Sequence, residues 1–573
     1  MVVVFIGALV WWRGCEPERS STGPGPSKPE NEPRERGGQV VASLRAEPRT
    51  FNRFLSSDQT TETLAMLMQS RLVRINRSTF ELEPGLAERW ESSEDGRSHT
   101  LYLRPGVVWS DGTPFTSADV LFSLRAAYDP TVKSPVASSI TIKGQPIAGT
   151  APDASTVVLT YPSPSGPGLR LLDMLPILPK HKLESALSSG TFAQSWATTS
   201  APGDIVGTGP FVLREYQPGQ RLVLDRNEKY WRKADNGDAL PYVDRLVLEL
   251  VPDQNAELLR LQSGATDLTH SELRSDDYIP VRRAEAEGKL TMVELGVAPD
   301  ADAFWFCLKP EKKARDPRFA FVSKREFRQA ISHAVDREAF AQTVFLGEAV
   351  PIWGPITPGN RLWFSPNVPR YPFDVARARA LLESIGLQDR NKNGVVEDTA
   401  GTEARFTVIT QQGIGYYERG TTVLRDQAAA VGIALDIVPL EFSAMVTRLL
   451  ACDYDAIYMR PLTTDLDPAG NLDYWLSSGS AHLWNMHQER PSTDWEQRID
   501  TLMDEQATTL GLERRREIFA EVQNVLAENV PVLYFASPRL YYAHSRRLRG
   551  VVPSILRPPV LWNADSLSVS NAN

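Results

Sequence analysis

Asp389, Asn391, Asn393 and Gly394 form a D-x-N-x-N-G run, the opening of a loop that holds calcium through side-chain oxygens at alternate positions. The twelfth position of such a loop needs a bidentate glutamate. Here it is Ala400, with Glu397 or Asp398 the nearest substitutes. A tight Asx-rich turn is therefore expected, with calcium at Asp389, Asn391 and Asn393 the alternative. The seven histidines make no HExxH pair, and His482 and His487 stand five apart, a poor helical spacing for a shared metal. The GTG at 207–209 has Val212 where the third glycine of a dinucleotide loop belongs, and neither GxSxG nor a P-loop occurs. No catalytic residue and no cofactor is expected.

The three cysteines, Cys15, Cys307 and Cys452, make no CxxC pair and no metal-ligand spacing. Cys307 ends the apolar run FWFC and Cys452 follows Leu449 and Leu450. Buried free thiols are the expectation for these two, and a bridge between them is the alternative.

The elements that position such residues belong to a long chain. At 573 residues it exceeds what one hydrophobic core usually supports, so several domains are expected. Hydrophobic residues at 42% and charged residues at 23% are those of a soluble globular protein. With 71 acidic against 62 basic side chains the net charge is -9, so no basic excess exists to drive binding to nucleic acid.

Residues 2–12 are nearly all apolar and lead to Arg13, Gly14 and Cys15. That stretch is short for a bilayer span and has the length of a signal-peptide core. A cysteine after a small residue resembles the acceptor of a bacterial lipoprotein, so Cys15 is the expected lipidation site and the N-terminus the expected membrane anchor. Residues 16–38 change to Pro, Gly, Ser, Glu and Arg without apolar periodicity, the composition of a disordered tether. Its reach is on the order of 25–30 Å.

From Gln39 onward strand-like runs alternate with amphipathic helices, which predicts an α/β protein. Leu222-Val223-Leu224 and RLVLELV at 245–251 read as strands. Phe327, Ala330, Ile331, Ala334 and Val335 follow helical spacing. Asp374 is placed to cap a helix that carries Val375, Ala378, Leu382 and Ile385 on one face and stops at Gly386. Thr116 with Asp119 predicts a capping box opening a helix through Val120, Leu121, Leu124 and Tyr128. Ile518, Phe519, Val522, Val525 and Leu526 form a last apolar stripe, closed by Pro531.

The segment LEPGLAERWESSEDGRSHTLYLRPGVVWSDGTPFTSADVLFSLRAAYD, residues 82–129, resembles a characteristic block of family 5 bacterial extracellular solute-binding proteins, the dipeptide and oligopeptide class. The likeness continues in GTGPFVLREYQPGQRLVLDRNEKYW (207–231), PYVDRLVLELVPDQNAELLRLQSGATD (241–267) and FRQAISHAVDREAF (327–340). It extends through YPFDVARARALLESIGL (371–387) and EIFAEVQNVLAENVPVLYF (517–535). The resemblance implies a two-lobed periplasmic-binding-protein-like fold with a hinge between the lobes and an extra domain inserted in the first. It places lobe I at 39–75, 201–299 and 530–573, the insert at 76–200, and lobe II at 300–529. It also implies a monomer that captures a peptide for an ABC permease and ATPase, without making or breaking a bond; the alternatives on the same fold are another small polar solute (an oligosaccharide, opine or metal chelate) or a ligand-sensing receptor.

Peptide-binding members fix the ligand's amino group with an aspartate a few residues before an acidic-Pro pair. The matching stretch is YDAIYMRPLTTDLDPAGNLDYW, residues 454–475. The family position falls on Thr464, and Asp465, one residue later, is the candidate amine anchor, with Asp467 opening the acidic-Pro pair. By the same resemblance the backbone of Met459, Arg460, Pro461, Leu462 and Thr463 pairs with an extended peptide, a mode that tolerates varied side chains. The opposing loop supplies Ser57, Asp58 and Gln59. Trp353, Trp363, Trp475 and Trp484 lie in segments that border the cleft in the family, where their rings suit a ligand pocket, with core packing the alternative for each.

Overall fold

In the computed structural model, which describes residues 34–461 and 467–570, strands with one wet face show period-two burial. In β5 (Ser98–Leu103), His99, Leu101 and Leu103 are buried while Ser98, Thr100 and Tyr102 stay half-exposed. It pairs with β4 (Ala87–Ser92) and β7 (Thr156–Thr160), and β6 (Ala148–Asp153) completes an antiparallel sheet of order β4-β5-β7-β6. Helix α2 (Ser117–Tyr128) packs on this sheet. At its start the Asp119 carboxylate accepts the Thr116 N–H at 2.9 Å, as the capping box predicts.

A second sheet has order β1-β10-β9-β8, from β1 (Gln39–Leu44), β8 (Phe211–Gln217), β9 (Arg221–Arg226) and β10 (Arg245–Leu250). β1 runs parallel to β10 and the other pairs are antiparallel. Leu222 and Leu224 register with Leu248 and Leu246, and all four are buried with Leu64 and Leu67 of α1 (Gln59–Met68). A short hairpin, β2 (Val73–Ile75) with β3 (Leu82–Pro84), follows α1. The GTG at 207–209 lies against the main chain of Met68, where a Cβ on Gly207 would strike the Met68 carbonyl. Those glycines serve close backbone approach.

The third sheet is mixed, with order β15-β14-β16-β12-β17. Its strands are β12 (Ala303–Phe306), β14 (Arg405–Gln411), β15 (Ala434–Leu440), β16 (Ala456–Met459) and β17 (Val532–Tyr534). β14 is parallel to β15 and β16, whereas β12 is antiparallel to β16 and β17. All four residues of β12 are buried, because this strand is covered on both faces. Phe304 and Phe306 enter one core with Phe406, Val408 and Tyr458, against α3 (Arg325–Ala334) and α4 (Val375–Ser384). Ala303 and Trp305 enter another with Ile409 and Ile457. That second core is completed by Ile499 and Met503 of α6 (Asp494–Thr508) and by Phe519 and Val522 of α7 (Leu512–Asn529). The Asp374 carboxylate accepts the Arg377 N–H at 2.8 Å, the expected cap of α4.

A fourth sheet, order β11-β18-β13, is built from β11 (Leu290–Val297), β13 (Ala349–Pro351) and β18 (Ala536–Ser545). The chain passes between this sheet and the five-stranded one twice, from β11 to β12 and from β17 to β18, where Phe535 alone separates the two strands. β17 registers with β12, Val532 opposite Trp305 and Tyr534 opposite Ala303.

The expectation of free thiols is also corrected. Cys307 and Cys452 form a disulfide with a Cα–Cα distance of 5.9 Å. It ties the end of β12 to the residue after α5 (Phe442–Ala451), where Cys452 adopts a left-handed φ of 51°. The sequence separation is 145 residues, so no local spacing could announce the pair.

Candidate functional site

The candidate site is built from the carboxyl end of β16. That strand lies between β12 and β14, paired with β12 through Met459 and with β14 through Ile457. The antiparallel register, Ala303 opposite Met459, carries Asp302 to the neighbourhood of Arg460. Asp302 is fully buried, and one carboxylate oxygen accepts Nε and Nη2 of Arg460 at 3.0 and 2.9 Å. Its other oxygen accepts the Tyr458 hydroxyl. The Arg460 N–H donates to the Tyr417 hydroxyl at 2.9 Å, and its guanidinium lies 5.1 Å from the Tyr416 ring centre and 5.6 Å from that of Phe345. Burial works against the charge on Arg460, but the Asp302 carboxylate overcomes it and holds the guanidinium well above its ordinary pKa.

The expected site residues fall into three groups. Leu462, Thr463, Thr464 and Asp465 lie outside the described residues, as does Cys15. Met459, Arg460 and Pro461 lead from the sheet into that segment, with Met459 half-buried and Pro461 buried. The remainder are placed by the structure, mostly in supporting roles.

Asp467 is a correction. Its carboxylate takes both terminal nitrogens of the buried Arg515, Nη1 at 2.7 Å, and also accepts the Ala469 N–H at 3.0 Å, capping a short turn. It is therefore committed to the protein. Asp58 is likewise a helix cap. It accepts the Thr61 N–H at 2.9 Å and the hydroxyls of Thr61 and Ser56 at 2.6 and 2.7 Å. Burial raises this carboxyl, but those hydrogen bonds outweigh burial and hold it below the usual range. Gln59 begins α1 and accepts Nη1 of Arg557 at 3.3 Å, and Ser57 is exposed.

Trp475 and Trp484 are packed in the core, the alternative to a place at the cleft. Trp475 packs edge-on to Tyr474 and Phe519, with centroids at 4.7 and 5.0 Å. Trp484 Nε1 donates to Glu496 at 3.0 Å beside His482. Trp363 is buried under the Arg515 guanidinium at 4.9 Å. Trp353 remains half-buried, flanked by Arg337 at 5.5 Å and Arg370 at 5.0 Å.

In the 389–394 loop the Asp389 carboxylate accepts the N–H groups of Asn393 and Gly394, both at 3.0 Å. Asn391 Oδ1 accepts the Asn393 N–H and Asn393 Oδ1 accepts the Val395 N–H. These oxygens shape an Asx-rich turn. What sequence reasoning missed is the Asp302–Tyr458–Arg460–Tyr417 network. Its one linear signal is an aspartate immediately before an apolar strand, and its partners depend on strand register.

A mixed five-stranded body joined by two adjacent crossings to sheets with a core of their own defines a two-lobed α/β binding protein. Residues 81–482 match the family described as "Bacterial extracellular solute-binding proteins, family 5 Middle". The chain belongs to that family of ABC-transporter solute-binding proteins, whose members work outside the cytoplasm. A probable ABC transporter-binding protein of Deinococcus radiodurans is 26% identical, over 88% of this chain and 87% of that one. The oligopeptide-binding protein AppA of Bacillus subtilis is 24% identical, over 96% and 95%. Among solved structures, the ABC transporter substrate binding protein CtaP of Listeria monocytogenes matches with a TM-score of 0.76. That match covers 94% of this chain and 100% of the other at 22% identity. No helix among the described residues is long and apolar enough to cross a membrane.

Proposed function

We propose that this protein captures peptides for an ABC importer, in a cleft between two lobes that close on the ligand by a hinge motion. The observation that carries this reading is the emergence of the chain at the end of β16. Met459 pairs with Ala303 of β12, and Asp302 and Tyr417 hold Arg460. A rigid base of that kind presents the following backbone to an extended ligand, and main-chain pairing accepts many side-chain sequences. The likeness to an oligopeptide-binding protein supports the same substrate class.

The lobes in this reading are the first sheet with its insert at 76–200, and the body centred on the five-stranded sheet. The β11–β12 and β17–β18 crossings act as hinge strands. Asp465 takes the ligand's amino group, because a buried ammonium needs a charge partner to offset desolvation. Ser57 contributes from the opposing loop, and Trp353 borders the pocket. The N-terminal segment tethers the protein to the membrane through a lipid on Cys15. No bond is made or broken in the cycle.

The test is a thermal-shift screen of the chain from Gln39 onward against di- to pentapeptides, oligosaccharides and metal chelates. A ligand at 100 times its Kd stabilises by roughly 2.7 kcal/mol. Stabilisation by peptides of several sequences, lost in Asp465→Asn, is the expected result. Peptides that bind Asp465→Asn as tightly as wild type sink the anchor, and a response to sugars or chelates alone overturns the substrate.

A further inference from the structure

A polar cavity of about 60 Å³ lies away from the five-stranded sheet, between the end of α1, β2, Asp173, Trp231 and the C-terminal stretch at Leu561 and Asp565. Gln69 lines it with only 2% of its surface exposed, and neither its Oε1 nor its Nε2 has a protein partner. Arg71 Nε and Asp565 Oδ1 are buried there without partners as well. The rest of each group is engaged. Arg71 Nη2 donates to Glu62 at 2.6 Å, and Asp565 Oδ2 accepts Tyr230 at 3.0 Å and Arg232 at 2.7 Å.

The charges around the cavity do not balance. Glu62 pairs with Arg53 and Arg71, Glu83 with Arg74, and Asp565 with Arg232. Arg77, 8% exposed, has Asp173 at 3.9 Å and otherwise only main-chain carbonyls at 3.3 and 3.5 Å. Five arginines thus face four carboxylates: Arg53 and Arg71 share Glu62, and Arg77 is held only loosely by Asp173. Burial pulls its pKa below the ordinary guanidinium value despite Asp173.

A buried polar atom left unpaired costs about 1–3 kcal/mol, and polar cavities of this kind hold polar occupants. The space admits about four to five waters by volume. Whatever fills it must accept from Arg71 Nε and the Gln69 amide, donate to Asp565 Oδ1, and bring negative charge to Arg77. Water meets the first two demands but not the third. We propose that this cavity binds one small tetrahedral oxyanion that keeps a hydroxyl, hydrogen phosphate being the species that fits. Its oxygens face Arg71, Arg77 and Gln69, and its hydroxyl donates to Asp565. Sulfate, which has no proton to give at neutral pH, would set an oxygen against that carboxylate. Bound there, the anion joins the C-terminal stretch to α1 and β2.

The test is calorimetric titration of the full chain with sodium phosphate and with sodium sulfate at matched ionic strength, near neutral pH. Saturable 1:1 phosphate binding, with sulfate at least tenfold weaker, is expected. Gln69→Leu weakens phosphate at least tenfold and leaves stabilisation by peptides unchanged. Asp565→Asn, the second variant, removes the discrimination between the two anions. Absence of saturable phosphate binding, equal binding of sulfate by wild type, or an unaltered Gln69→Leu overturns the proposal and leaves a water-filled cavity. Either result is separable from the peptide screen, which reads a different part of the molecule.

Discussion

Asp302 and Arg460 form a buried pair whose value lies in its completeness. Replacing one member leaves the other charge in the interior without compensation, which costs about 3–5 kcal/mol, whereas removing both is far milder. Asp302→Asn is therefore expected to destabilise strongly in urea unfolding, and Asp302→Asn with Arg460→Met to recover more than half of that loss. An additive double variant would contradict the pairing. Asp58 is a residue of another kind, a cap on α1. Asp58→Ala is expected to cost about 1 kcal/mol. Its hydrogen bonds hold the carboxyl below its ordinary pKa, so their charge-dependent stabilisation is fully present above the unfolded-state value. That contribution is lost as pH falls through the lower folded-state pKa. The stability gap between wild type and Asp58→Asn should accordingly shrink as pH is lowered below about 4; a gap constant from pH 7 to pH 3 would exclude a charged cap.

Among the elements, β12 is the most constrained, with four buried residues, strands on both edges and a disulfide at its end. Linking Cys307 to Cys452 across 145 residues restricts the unfolded chain more than the folded one. In the chain-entropy account a loop of that length is worth about 5 kcal/mol. Cys307→Ala with Cys452→Ala is expected to lower the urea midpoint substantially. Alkylation of the native protein, unfolded without reductant, should label neither residue. Labelling of both would mean that the bridge does not form.

At the scale of the whole molecule, two contacts bear on the proposed closure, and both lie away from the two crossings. Arg361 donates to the Ser78 carbonyl at 3.0 Å and its guanidinium lies 5.2 Å from the Phe80 ring. Gly166 donates its N–H to the Ala507 carbonyl at 2.7 Å. Each joins the region of the insert to the body of the five-stranded sheet. In a hinged protein such contacts favour the closed arrangement without touching ligand. Arg361→Ala is thus expected to enlarge the radius of gyration of the ligand-free protein in X-ray scattering and to weaken ligand binding modestly. An unchanged scattering curve would show that this contact does not govern closure.

The amino-acid sequence alone determined whatever acts over a few residues. The Thr116–Asp119 and Asp374 caps and the apolar stripe of α3 follow from partners within one or two turns. The family blocks were also legible, because they are strings of such local signals in a fixed order. Tertiary structure decided what depends on distant partners. Asp467 is indistinguishable from a ligand contact until Arg515, 48 residues later, takes its carboxylate. Trp475 and Trp484 have the composition of a cleft as much as of a core, and only the packing of α6 and α7 buries them. Asp302 meets Arg460, and Cys307 meets Cys452, because strand register and helix placement bring them together. Those are global minima of packing that no local pattern encodes.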